Sequence, residues 1–115
     1  MSDVSFLRDE RDMTVRMSVR GHAGFDCVGR DIVCAAVSVL AFTAANLAAQ
    51  YEEAGAEVYV RISDGDVCVE VRCEARDLYE RCVNQMNVVE LGFALLAAEY
   101  PQYIKLTSGE ISGVI

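Results

Sequence analysis

Two side chains in the first third of the chain could together break an amide bond. Cys34 lies near the start of the apolar stretch in GRDIVCAAVSVL, and His22 lies upstream of it in GHAGF. A thiolate attacks carbonyl carbons, and an imidazole can take the thiol proton and return it to the leaving amine. Because His22 is the only histidine of the chain, it is the only candidate for an imidazole base.

The position of Cys34 favours this chemistry without deciding it. Asp31 is a favoured N-cap residue, so Cys34 falls in the first turn of the predicted helix. Free N–H groups and the helix dipole stabilise an anion such as a thiolate there, and the same amides could hold the oxyanion of an acyl transfer. Alternatively, Cys34 is a small apolar residue of a buried helix. His22 opens a glycine-containing loop at the end of a predicted strand, and this favours the chemical role.

Four further residues belong to the candidate site. Asp31 has a structural role as the cap, and a second role in orienting His22 is possible but uses the same oxygens. Ser38 follows the cysteine by one helical turn, so its hydroxyl could contact the thiolate or a substrate, or bond back to the helix. Gly21 and Gly24 lie in the loop that joins the strand to the helix.

The remaining cysteines do not indicate a metal site or a disulfide framework. The chain has five cysteines, an odd number, and lacks a CxxC pair. We expect no metal, and free thiols in a cytoplasmic protein. Cys27 is predicted to be incidental in a loop, Cys68 to be on a solvent-facing side of a strand, and Cys73 and Cys82 to be in the core.

The chain is predicted to be a single α+β domain over residues 1–115, with two long helices packed on a mainly antiparallel sheet in the order ββαββαβ. Alternating apolar residues predict strands, and helical spacing with caps and turn residues predicts helices. The predicted elements are strands Val4–Arg8 and Met13–Arg20, the loop Gly21–Arg30, a helix from the Asp31 cap to about Glu53 closed by Gly55, a hairpin of Glu57–Ser63 and Val67–Cys73 around Asp64-Gly65, a helix Asp77–Glu99 ended by Pro101, and a short strand Tyr103–Thr107.

Charge and hydropathy limit the classes of partner. The net charge of −8 disfavours direct nucleic-acid binding, which needs clustered basic residues, and an acidic surface would attract a basic peptide. The first residues lack the pattern of a signal peptide. The stretch Ile32–Ala49 has no charged residue, but it carries polar residues and has no basic flanking residue beyond Arg30. We therefore expect no membrane span, but a central helix covered on most sides.

The segment GHAGFDCVGRDIVCAAVSVLAFTAANL resembles the signature of the ribosomal-processing cysteine proteases, the Prp family, with its G-H-x-G and D-I-V-C-A-A-V-S segments. The resemblance implies a catalytic dyad of His22 and Cys34, with Asp31 and Ser38 in the same site. It also implies a homodimer without metal or cofactor. The implied substrate is a large-subunit ribosomal protein precursor, whose N-terminal extension, apolar with paired aromatics, is cut before a small residue and a basic tail.

Two other functions remain compatible with the residues alone. One is a non-catalytic ribosome-assembly or peptide-binding module, in which GHAGF and Cys34 only shape a groove. The other is a cysteine hydrolase that acts on an unrelated small ester or amide. Cleavage of an extension-type peptide supports the protease, whereas binding without cleavage supports the module.

Overall fold

The fold was obtained as a computed structural model, which describes residues 1–111. Its elements confirm the predicted α+β class and the order ββαββαβ. They are β1 (Ser2–Asp9), β2 (Thr14–Arg20), α1 (Ile32–Glu53), β3 (Glu57–Ser63), β4 (Asp66–Arg72), α2 (Arg76–Glu99) and β5 (Ile104–Ile111).

The five strands form one sheet in the order β3-β4-β2-β1-β5. Both hairpins, β1–β2 and β3–β4, are antiparallel and pair with each other through β2 and β4. The remaining pair, β1 with β5, is parallel. The pairing of β2 with β4 sets Arg20 opposite Asp66, so the β3–β4 turn lies beside the end of β2.

One face of the sheet carries the helices and the core. Apolar side chains at alternate positions of β1, β2 and β4 point to this face, as the period of a half-buried strand requires. The ring of Phe6 on β1 contacts that of Phe93 on α2 with their centroids 5.9 Å apart. The largest fully buried side chains include Tyr79, Phe6, Phe93, Met17 and Met86.

Helix α1 has the predicted ends. Asp31 is its N-cap, and Gly55 follows it with a φ of +102°, a conformation that glycine adopts without steric cost. Alanines at 41, 44 and 48 face the core and are almost completely buried. Helix α2 packs closely beside α1, because a Cβ on Gly92 would lie 2.7 Å from Cδ2 of Leu40.

The expectation that α1 is covered on most sides is wrong. Ile32, Val39 and Phe42 are 61%, 66% and 45% exposed, because a two-layer fold leaves the outer side of its helices open. By length and composition alone, α1 is the one helix in residues 1–111 that could cross a bilayer. Core helices of soluble proteins pass the same test.

Two local predictions need correction. The last strand is longer than predicted, because β5 pairs with β1 as far as Ile111 opposite Asp9. Cys68 does lie on the helix-free face of the sheet, but it is only 3% exposed. Its cross-strand neighbour Arg61 and the nearby Arg16 have long side chains that shield it. The sequence predicts no strand after Thr107, but residues 108–111 belong to β5, and residues 112–115 lie outside the described part.

Candidate active site

Three elements bring the candidate residues together at one end of the sheet. Strand β2 ends at Arg20, so His22 stands just past its end. The loop then returns to the N-terminus of α1, where Cys34 occupies the first turn. The β3–β4 turn lies on the other side of His22, since its backbone is bonded to that of β2: the N–H of Gly21 donates to the carbonyl of Gly65 at 2.7 Å.

Cys34 and His22 face each other in this arrangement. The Sγ atom of Cys34 lies 3.9 Å from Nδ1 of His22, a long sulfur–nitrogen contact. Both side chains line an open cavity of about 410 Å³. The other residues of the cavity wall are Gly24, Asp26, Val28, Gly29, Asp31, Ala35, Ser38 and Asp64.

The carboxylate of Asp31 joins the helix start to the loop. Its Oδ1 accepts the backbone N–H of Cys34 at 2.8 Å, and its Oδ2 accepts those of Phe25 at 2.9 Å and Asp26 at 3.3 Å. Burial raises the pKa of Asp31, but the backbone N–H groups of Cys34, Asp26 and Phe25 outweigh it and hold the pKa below its usual value. The cap role is confirmed, and neither oxygen is bonded to His22.

This cap also restricts the oxyanion site. The sequence suggested that amides at the helix start could hold a developing oxyanion. The N–H of Cys34 is already donated to Asp31, so an oxyanion has to be held by other donors.

The other predicted site residues occupy different places. Ser38 and Gly24 line the cavity beside Cys34 and His22, and Gly24 has a φ of +75°. Gly21 is not part of the cavity wall. Its φ is +85°, and a Cβ there would lie 2.7 Å from the carbonyl oxygen of Met1, so it allows a close backbone approach that positions the end of β2.

Asp64 is a cavity residue that the sequence interpretation missed. Its Oδ1 lies 3.4 Å from Nε2 of His22, on the opposite side of the ring from Cys34. The Asp64-Gly65 turn was recognisable as a hairpin signal. The pairing of β4 with β2, which carries this turn to His22, joins strands that are distant in sequence and could not be read from the residues.

The other thiols are not part of the cavity wall. Cys27 is exposed in the loop, while Cys73 and Cys82 are buried as predicted. Burial raises the pKa of the Cys73 thiol and raises that of Cys82 to about 12. Within residues 1–111, no three His, Cys, Asp or Glu side chains form a group that could hold a metal ion.

Comparisons with known proteins agree with this architecture. A crystal structure of an essential ribosomal processing protease Prp from S. aureus, with a covalently linked product peptide, has a TM-score of 0.73 and 21% identity over 94% of this chain and 99% of that chain. A second S. aureus Prp structure, with a substrate peptide, has a TM-score of 0.66 and 19% identity over 94% of this chain and 99% of that chain.

A further solved structure gives the same fold. It is that of SMU.848 from Streptococcus mutans, with a TM-score of 0.69 and 25% identity over 96% of this chain and 95% of that chain. No curated protein sequence matches the chain. The family described as Cysteine protease Prp matches residues 1–105, nearly the whole chain. The chain therefore belongs to the Prp family of cysteine proteases.

Proposed function

We propose that Cys34 is the nucleophile and His22 the general base and acid of this protease. The observation that carries the proposal is the 3.9 Å approach of Cys34 Sγ to His22 Nδ1 in the wall of the cavity. Catalytic hydrogen bonds are often long in a free enzyme and shorten when substrate binds.

The reaction uses only these two side chains and water. Nδ1 of His22 takes the thiol proton, and the sulfur attacks the scissile carbonyl to form a tetrahedral intermediate. The intermediate collapses as His22 gives its proton to the leaving amine, which leaves a thioester on Cys34. His22 then takes a proton from water, the hydroxide attacks the thioester, and the proton returns to the sulfur. The chemistry needs neither a metal nor an organic cofactor.

The proposed substrate is the N-terminal extension of a large-subunit ribosomal protein precursor. Support comes from the family resemblance and from the S. aureus relatives, which are described as ribosomal processing proteases with bound substrate or product peptides. The charge of the cavity also suits the basic segment after the cut. Its wall contains three carboxylates, those of Asp26, Asp31 and Asp64, and no Lys or Arg.

We further propose that the protein is a homodimer joined through the outer face of its helices. This face, here called the helix face, exposes six large apolar side chains: Ile32, Val39, Phe42, Val88, Leu91 and Leu95. Each of them is at least 45% exposed. Between residues 82 and 98, α2 carries a single charge, Glu90, and that residue pairs with Arg8.

The apolar helix face is more favourably buried against a second copy of the chain than exposed to water. Contiguous exposed apolar patches are uncommon on soluble monomers and are typical of interfaces. An uncharged, self-complementary surface fits a two-fold pair, in which the same patch serves both partners. We place the dimer in the cytoplasm, where a reducing environment keeps the Cys34 thiol available.

Cleavage of a synthetic peptide tests the catalytic proposal. The peptide carries an apolar extension with paired aromatics, followed by a small residue and a basic tail, and its fragments are identified by mass spectrometry. We expect single-site cleavage by the wild type, none by Cys34→Ala or His22→Ala, and near-normal cleavage by the matched control Cys27→Ser. Cleavage by Cys34→Ala, or loss of cleavage in Cys27→Ser, would contradict the assignment of the nucleophile.

A further inference from the structure

The turn between β3 and β4 lies directly against the His22 ring. The turn consists of Asp64 and Gly65, and it contacts both the ring of His22 and the backbone just before it. We propose that Asp64 is a positioning residue that holds His22 for proton exchange with Cys34, which makes the dyad a triad. This inference rests on the proposed catalytic roles of His22 and Cys34.

Three contacts fix His22 at the turn. The carbonyl of Gly65 accepts the N–H of Gly21 at 2.7 Å, which fixes the backbone beside His22. The ring packs against Gly65, where an added Cβ would lie 3.0 Å from Nε2 and 3.2 Å from Cδ2. Oδ1 of Asp64 lies 3.4 Å from Nε2, on the edge of the ring that faces away from Cys34.

These contacts favour the neutral imidazole that carries its proton on Nε2. A neutral imidazole has one protonated nitrogen and one acceptor nitrogen. With Nε2 protonated, 3.4 Å from the Asp64 carboxylate, Nδ1 keeps its lone pair for the proton of Cys34, 3.9 Å away. When that proton moves from sulfur to Nδ1, the ring becomes a cation, and the nearby carboxylate stabilises it. When Nδ1 gives the proton to the leaving amine, the ring returns to its first state.

The size of the contribution of Asp64 to kcat follows from the solvent exposure of Asp64 and His22. The side chain of Asp64 is 96% exposed and that of His22 is 54% exposed, so water screens their interaction in the free protein. Asp64 therefore contributes less than the buried aspartate of a serine protease triad. We expect a reduction of kcat by about three- to tenfold when its charge is removed.

Asp26 provides the matched control for Asp64. It is an acidic residue of the same cavity wall, and its carboxylate accepts the N–H of Cys27 rather than touching His22. If the cavity carboxylates only attract a basic substrate, Asp26→Asn and Asp64→Asn should both raise KM and leave kcat unchanged. If Asp64 also positions His22, Asp64→Asn should lower kcat in addition to raising KM, whereas Asp26→Asn should raise KM alone.

Nuclear magnetic resonance gives a readout independent of turnover. Because His22 is the only histidine, its ring nitrogen signals need no assignment by mutation. We expect Asp64→Asn to shift the Nε2 resonance and Asp26→Asn to leave it in place. An unchanged kcat and an unshifted Nε2 signal in Asp64→Asn would overturn the positioning role.

A second pair of variants tests the packing of the ring. Gly65→Ala puts a methyl group where the His22 ring lies, whereas Gly55→Ala adds one at the end of α1 with no atom within 4 Å. Both glycines have a positive φ, so both substitutions introduce backbone strain. At equal folded fraction, we expect kcat to fall in Gly65→Ala alone, and an equal kcat in the two variants would contradict the proposal.

The dyad variants separate this inference from the function on which it rests. If Cys34→Ala or His22→Ala still cleaves the peptide, the catalytic proposal fails and the role of Asp64 fails with it. If both variants are inactive while Asp64→Asn keeps the wild-type kcat, only the positioning role of Asp64 fails.

Discussion

The carboxylate of Asp31 accepts the backbone N–H of Cys34 at 2.8 Å and, through its other oxygen, that of Phe25 at 2.9 Å. One side chain thus fixes both the residue that carries the thiol and the loop that lines the cavity. The helix cap and the active-site loop are consequently a single structural unit, and they should lose order together.

Replacing Asp31 should destabilise the fold and weaken catalysis together. Loss of an N-cap lowers the free energy of unfolding by about 1–2 kcal/mol, so we expect a loss of this size in Asp31→Ala, measured by urea unfolding. Asp31→Asn is the matched control, because asparagine caps helices about as well as aspartate. A variant Asp31→Ala as stable as the wild type would show that the cap contributes nothing.

The charge of Asp31 predicts that the free energy of unfolding depends on pH. Its pKa is lower in the folded state than in the unfolded chain, so ionisation stabilises the fold at neutral pH. The stability advantage of the wild type over Asp31→Asn should be complete above about pH 4, the pKa of an aspartate in the unfolded chain. It should disappear as the pH falls through the lower pKa that Asp31 has in the folded state. An advantage that increases on acidification would contradict this sign.

Alkylation of the folded protein should be selective. Cys27 is exposed and Cys34 is partly exposed, whereas Cys68, Cys73 and Cys82 are buried. At about pH 8 we expect iodoacetamide to label only the first two, since the thiolate reacts and Cys82, with a pKa of about 12, remains a thiol. Peptide mass spectrometry measures the sites, with the unfolded chain as the control in which all five react. Labelling of Cys82 in the folded protein would contradict the structure.

The helix face predicts the oligomeric state. We expect light scattering to give twice the chain mass of 12.6 kDa for the wild type and the chain mass alone for Leu91→Asp. Tyr59→Asp is the control, because Tyr59 is 52% exposed on β3, on the helix-free side of the sheet. A dimer that survives Leu91→Asp, or one that is lost in Tyr59→Asp, would place the interface elsewhere.

The loop between β2 and α1 should be mobile in only part of its length. In the described chain, the N–H of Phe25 is bonded to Asp31, while those of Val28 and Gly29 form no hydrogen bond. We expect fast amide exchange at Val28 and Gly29 in the free protein and slower exchange with an uncleaved peptide on Cys34→Ala. Equal exchange in both states would show that substrate does not order the loop.

The local parts of this architecture were predictable from the sequence. Alternation in β2, the Asp31 cap and the Asp64-Gly65 turn are short-range signals, and each lies where the residues indicated. The pairing of β2 with β4 was not predictable, because several strand orders bury the same apolar faces. Asp64 was missed for that reason, since only this pairing carries it to His22.

The exposed side of α1 was missed for a different reason. An apolar helix surface has the same sequence whether a second layer or a second molecule covers it. Val39 and Phe42 therefore led to the expectation of a central helix, although both are open to solvent in the single chain.

The ring of Phe25 contacts those of Tyr100 and Tyr103 edge-on, with centroids 5.5 and 5.2 Å apart. The loop beside Cys34 thus depends on Tyr100 and Tyr103, which the ribosome adds to the chain long after His22 and Cys34. Until residues 100–111 emerge, β1 lacks its parallel neighbour and Phe25 lacks its aromatic partners. This long sequence separation makes folding slow relative to local helix formation. During its own translation, the nascent protease should therefore remain inactive, although Cys34 and His22 have both already left the ribosome.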